Sequence, residues 1–277
     1  MKENLLKNVA GVMRTLPSFR GKYRIGTTLQ KKVLNNPPFH EPEFMVGMKA
    51  GFDILIDVRS ESHLGAFWCG EYDTPLIRKF CRQFREGWTV LDIGANVGYY
   101  SIPMAQGLAS LGGTLYAFEP LSQNFEALSR SVTHNQLSNL HLHKIGLGEK
   151  SEQLNIALTE GGETGNAVIT NQALIDEKGF VPKESIQVES LDEIAPDLGL
   201  DRCDFIKVDI EGAEIFFLRG AKALITKHRP VIYGEFNSYF MRKFSLISKR
   251  LGTFSPRLDT KSTNKKKPTG EPSDSFR

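Results

Sequence analysis

The stretch VLDIGANVGYYS, residues 90–101, decides how this chain is read. It closes a short apolar strand, WTVLDIG (88–94), and opens a helix spanning roughly Gly98 to Ala109. Gly94 and Gly98 remove the Cβ atoms that would keep a ligand off the backbone where strand meets helix. The start of the helix offers unpaired N–H groups to whatever lies there. Asp92, at the carboxyl end of the strand, adds negative charge to that crevice. The spacing is G-x-N-x-G beside an acid, not the G-x-G-x-x-G of dinucleotide binders. A pyrophosphate would be repelled by Asp92, whereas a ligand carrying an ammonium group would be favoured.

Working outward, short apolar strands alternate with amphipathic helices. TLYAFEP (114–120) reads as a second strand, PLSQNFEALSRSVTHNQ (120–136) as a helix capped by Ser122, and LHLHKIGLG (140–148) as a third strand. After about fifty less regular residues, CDFIKVDI (203–210) is a fourth strand, EGAEIFFLRGAKALITKH (211–228) a helix and RPVIYGEF (229–236) a fifth strand. This alternation indicates right-handed βαβ crossovers and an α/β fold with a mostly parallel sheet flanked by helices. Upstream, FDILIDVRS (52–60) has the alternation of a half-buried strand, and PLIRKFCRQFR (75–85) reads as a helix with Thr74 as cap.

The acids gather on one edge. Glu119 ends the second strand, where it is placed to accept hydrogen bonds from both ribose hydroxyls of a nucleoside. Asp209, Glu211 and Glu214 cluster where the fourth strand meets its helix, and Glu235 ends the fifth. Acids in a first helical turn are also stabilised by the helix dipole, so capping competes with function there. Even so, ligands of open parallel sheets bind outside the carboxyl ends of the strands, which is where all of these acids fall.

VLDIGANVGYYS, YAFEP, KVDIEGAE and RPVIYGEF, with GEYDTPLI (70–77) upstream, resemble the FkbM family of S-adenosylmethionine-dependent methyltransferases. The resemblance spans about residues 50 to 240. It implies a class I methyltransferase (Rossmann-like) fold with sheet order 3-2-1-4-5-7-6. It also implies that Asp92, Gly94, Asn96 and Gly98 line the methionine and ribose side of S-adenosyl-L-methionine. Glu119 would hold the ribose, with Asp209, Glu211 and Glu214 near the acceptor. Members of the family commonly methylate hydroxyl oxygens of sugars or natural products. The expected acceptor is therefore a small molecule or glycan.

Methyl transfer to an alcohol needs positioning and a base for the hydroxyl proton. Asp209 is the first choice for that base and Glu214 the second, with Glu211 and Glu235 on the acceptor side. His63, His134, His141 and His143 are further candidates, and the acids show no metal-ligand spacing. A catalytically silent member acting as a nucleoside-binding or interaction module is the alternative; a dehydrogenase fits the glycine pattern poorly.

Composition sets the frame. At 277 residues the chain can hold one large domain or two small ones. No run approaches the ~20 apolar residues of a membrane span. Cys69, Cys81 and Cys203 are odd in number and widely spaced, which suits a reducing, cytoplasmic setting better than a disulfide framework. The net charge of +3 divides unevenly: residues 1–40 hold eight Lys/Arg and one acid, residues 255–277 six and three, and residues 41–254 balance at −7. Nucleic acid or an anionic surface would attract the basic ends. A solvated arm and tail are the expectation, without nucleic acid, because no aromatic stacking platform accompanies the charge. The expected organisation is a basic helical arm at 1–50, a methyltransferase domain at 51–254 and a polar tail at 255–277. Little after residue 238 resembles the sixth and seventh strands, so the closing antiparallel hairpin is expected to be missing or replaced.

Overall fold

The computed structural model describes residues 2–33, 42–158, 168–170, 181–210 and 212–234. Its centre is a five-stranded parallel sheet built from β3 (Thr89–Ile93), β4 (Thr114–Phe118), β5 (Leu140–His143), β10 (Phe205–Val208) and β11 (Val231–Gly234). The order across it is β11-β10-β3-β4-β5. In order of appearance within this sheet that is 5-4-1-2-3, the first five strands of the class I methyltransferase order. The closing hairpin, Glu211, Glu235 and the polar tail lie outside the described residues.

Alternation in the strands divides the core. Val90, Leu115, Ala117 and Phe205 face one layer, which holds α4 (Thr74–Cys81), α5 (Ser101–Ala109) and α6 (Ser122–His134). Leu91, Ile93, Phe118, Ile206 and Val208 face the other, against α7 (Leu191–Ile194), α8 (Glu214–Gly220) and α9 (Lys222–His228). A sheet covered on both faces needs apolar residues at successive positions, as these strands have.

Two further sheets flank the centre. β1 (Glu43–Gly47) pairs antiparallel with β2 (Asp53–Asp57), and β2 lies against α6. The link is polar as well as apolar: Ser131 Oγ accepts the Leu55 N–H at 2.8 Å, and Asn135 Oδ1 accepts that of Asp53 at 3.0 Å. The second is a four-stranded sheet of order β6-β9-β7-β8, made of Gly146–Gly148, Val181–Ser190, Glu152–Leu158 and Val168–Thr170. LHLHKIGLG is therefore not one strand. Its first half ends the parallel sheet, and its last three residues pair parallel with Val188–Ser190.

At the amino end, α1 (Lys2–Thr15) and α2 (Lys22–Val33) pack on each other and on α3 (Leu64–Cys69). Leu6 and Ala10 are buried in the same cluster as Val90. Trp68 of α3 donates its indole N–H to Gln30 and occupies the space that a side chain at Gly26 would need.

The expected single helix at 211–228 is two. Its break falls at Gly220–Ala221, where α8 meets β6; a Cβ on Gly220 would overlap the Gly148 carbonyl oxygen. Ser122 does not cap α6 with its own side chain; its N–H and hydroxyl both donate to Glu184 of β9, which ties the helix start to the four-stranded sheet.

Candidate active site

The carboxyl ends of β3, β4 and β10 open into a cavity of about 390 Å³. One wall is the turn Ile93–Asn96 with Phe118–Leu121; the opposite wall comes from β6, β7 and β9 through Leu147, Leu154, Ile156, Ile186 and Val188. Tyr72, Tyr99 and Tyr100 form an aromatic side, with Tyr72 stacked on Tyr99 at 4.0 Å between centroids. Mostly apolar walls with a few convergent polar groups describe a small-molecule site.

Glu119 is the most constrained of those polar groups. It is buried, and its carboxylate accepts the N–H groups of Asn96 (2.8 Å) and Leu121 (3.0 Å) and the Asn124 amide (3.3 Å). Burial raises its pKa, and the N–H bonds oppose that rise. The Asn96 bond fastens the end of β4 to the glycine turn after β3. Asn96 itself sits at φ 51, its Oδ1 accepting the Val97 N–H at 2.7 Å. Asn tolerates this left-handed conformation better than most residues. Gly94, at φ 78, is required for a second reason: a Cβ there would overlap the Asp209 carbonyl oxygen. The β3 and β10 turns therefore touch backbone to backbone, and Asp209 N–H donates to Ile93 O at 3.0 Å.

Asp92 stands elsewhere than its position in the sequence suggests. It does not line the cavity but is wholly buried on the face beneath α5. Asp92 and Lys207 are register partners on adjacent strands. The Lys207 ammonium lies 3.1 Å from Asp92 Oδ1 and donates to Gly94 O at 3.0 Å. Ser101 Oγ donates to Asp92 Oδ2 at 2.6 Å. Asp92 therefore does not supply free negative charge to the crevice; Lys207 neutralises it. Burial alone would lower the Lys207 pKa, but Asp92 and Asp209 outweigh it and hold the ammonium above its ordinary range. The same ammonium lies over the Tyr100 ring at 5.0 Å and 3.9 Å from Asp209 Oδ2.

Among the remaining expected residues, Gly94, Asn96, Glu119 and Asp209 share the cavity wall. Gly98 lies behind it, where a Cβ would come within 2.7 Å of Leu128; its role is helix packing. Glu214 is buried and accepts the N–H groups of Gly212 (3.0 Å) and Ile210 (3.2 Å), so it shapes the turn after β10 and does not face the cavity. Of the two candidate bases, Asp209 alone lines the cavity. The histidines do not: His134 pairs with Asp53, His141 and His143 stack on Tyr116, and His63 is buried beside Asp57. Lys207 and the three tyrosines were not anticipated. Lys207 had a signal, a lysine inside an otherwise apolar strand, which demands a buried counter-charge.

Residues 92–254, more than half of the chain, match the family model described as Methyltransferase FkbM domain. Among curated proteins, the chain is 29% identical over 146 residues to "Methyltransferase 1" of Beauveria bassiana (strain ARSEF 2860), covering 47% of this chain and 57% of that protein. It is 26% identical over 155 residues to "Methyltransferase sdnD" of Sordaria araneosa, covering 47% and 59%. The chain thus spans little more than half the length of these relatives. The crystal structure of methyltransferase FkbM from Methylobacillus flagellatus KT aligns with 83% of this chain and 47% of its own, at 20% identity and a TM-score of 0.39. With the family model matched across the glycine turn, the acid-ended second strand and the KVDIEGAE segment, the chain belongs to the FkbM methyltransferase family.

Proposed function

We propose that this protein transfers a methyl group from S-adenosyl-L-methionine to a hydroxyl oxygen of a small molecule or glycan. The observation that carries the reading is that one cavity brings together a buried ribose-competent carboxylate (Glu119) after β4 and a second carboxylate (Asp209) after β10, on either side of the central strand β3. The residues present fit the cofactor. Glu119 would accept hydrogen bonds from the ribose hydroxyls, the turn from Gly94 to Asn96 would hold the methionine part, and the apolar Phe118, Ile145 and Leu147 would suit the adenine.

The cofactor supplies a carbon already activated by its sulfonium, so the protein's share is orientation and proton removal. Asp209 takes the acceptor's hydroxyl proton as the oxygen–carbon bond forms and the methyl carbon–sulfur bond breaks to leave a neutral thioether, and the Lys207 ammonium lies 3.9 Å from the Asp209 carboxylate. Tyr72, Tyr99 and the β7–β9 wall exclude water from the reacting atoms. Incubation with methyl-labelled cofactor and a cell extract, followed by identification of the labelled product, tests the reading. Labelled hydroxyl-methylated product, lost with Asp209→Asn while cofactor still binds, is the expected result. Tight binding of NAD with none of the sulfonium would overturn it.

A further inference from the structure

Eight large apolar residues are exposed among the described residues, and six lie between positions 5 and 25: Leu5, Val12, Leu16, Phe19, Tyr23 and Ile25. They are not scattered. On α1, Leu6 and Ala10 face the core, and Leu5 and Val12, with Leu16 just beyond the helix, share an exposed stripe at i, i+7 and i+11, about 100° round the helix from it. Its neighbours Asn8 and Thr15 are exposed and uncharged. On α2, Gly26 and Lys22 face inward while Arg24, Thr28, Lys31 and Lys32 are exposed. Arg20, in the turn between the helices, is exposed too.

No Asp or Glu occurs from residue 4 to residue 40. Among the described residues, no acid lies within ion-pair distance of Arg20, Arg24, Lys31 or Lys32. Two basic residues of α1 are otherwise engaged: Lys7 sits over the Phe44 ring and Arg14 donates to Phe67 O. Two packed helices thus present an aliphatic face and a cationic face side by side.

From this we propose that the outward faces of α1 and α2 dock the protein on an anionic lipid bilayer. Aliphatic side chains enter the headgroup boundary while neighbouring cations meet lipid phosphates and carboxylates. Residues 41–254 carry −7, so the field that draws α2 in repels that acidic body and sets one orientation. A phosphate backbone would leave Leu5, Val12 and Leu16 without a partner. A second copy would oppose four cations with four cations.

Cosedimentation of the full chain tests this, using vesicles of phosphatidylcholine alone and with about a third phosphatidylserine. Binding to the anionic vesicles only, reversed by salt, is expected. Arg24→Gln/Lys31→Gln/Lys32→Gln removes three exposed charges and should weaken partitioning about 100-fold, at roughly a factor of five per charge. Leu5→Ser/Val12→Ser should weaken it at least tenfold with an unchanged circular dichroism spectrum. Failure to bind anionic vesicles, equal binding to neutral ones, or a dimer held by this face that ignores vesicles would each overturn the proposal. So would binding that survives both sets of substitutions, or oligonucleotide displacing the vesicles.

Discussion

Replacing Lys207 by Met isolates the buried pair beneath the cavity. The substitution leaves an unbranched side chain one atom shorter, removes the ammonium 3.1 Å from Asp92 and unpairs the Gly94 carbonyl. Breaking a buried pair by removing one partner costs about 3–5 kcal/mol. In a domain of this size that lowers Tm by roughly 6–20 °C, at about 2–4 °C per kcal/mol. Asp92 remains, wholly buried, with Ser101 as its one hydrogen-bond donor and no counter-charge among the described residues. Burial raises its pKa already in the native protein, and loss of Lys207 raises it further. A carboxyl group with a raised folded pKa binds more protons folded than unfolded between the two pKa values. The deficit of the variant therefore grows as pH rises above the ordinary Asp range and shrinks on acidification. The double variant Asp92→Asn/Lys207→Met removes both charges and should lose only the unpaired carbonyl, about 1–3 kcal/mol. Thermal and urea unfolding from pH 5 to 8 measure all three proteins. A single variant within about 1 kcal/mol of the native protein would refute the reasoning, as would a double variant no more stable than the single.

Exchange of Glu119 for Gln should weaken binding of S-adenosylmethionine at least tenfold by titration calorimetry, with the fold retained. In the native protein that affinity should fall on acidification, beginning above the ordinary carboxylate range because burial raises the Glu119 pKa; the Gln variant should be flat with pH. Glu214→Gln should keep turnover while lowering Tm, since the side chain accepts the Ile210 and Gly212 N–H groups, whereas Asp209→Asn should cost about 10²–10⁴ in kcat. Gly94→Ala places a methyl group against the Asp209 carbonyl at φ 78, and should abolish cofactor binding and lower stability by more than about 2 kcal/mol.

The parallel sheet was legible because apolar runs of strand length ended in glycine or acid and were followed by helical periodicity. Glu119 and Asp209 were legible for a related reason: a residue at a carboxyl strand end faces the crevice whichever side chains pack below. Two residues before Gly94, which holds the position equivalent to Glu119 and Asp209, Asp92 sits too early for that rule. It points to the sheet face, and only its register with Lys207, 115 residues away in the chain, decides its partner. The change of sheet within LHLHKIGLG was hidden similarly. Apolar periodicity records that a segment is buried and extended, not which strand it pairs with, and the partner of Gly146–Gly148 begins some forty residues later. The break at Gly220 could have been suspected from the glycine, but its cause, the Gly148 carbonyl, is a tertiary contact.

The two walls of the cavity belong to sheets with separate hydrogen-bond ladders, joined by the short passage from His143 to Gly146. Such a division lets them evolve at different rates. Strands β7 to β9 can be lengthened, shortened or resurfaced without disturbing the register of β3, β4 and β10, on which the glycine turn and Glu119 depend. A lineage can thereby resurface one wall of the cavity while keeping the other. Under the proposed function, swapping residues 149–190 between relatives should change which acceptor is methylated while leaving cofactor binding intact.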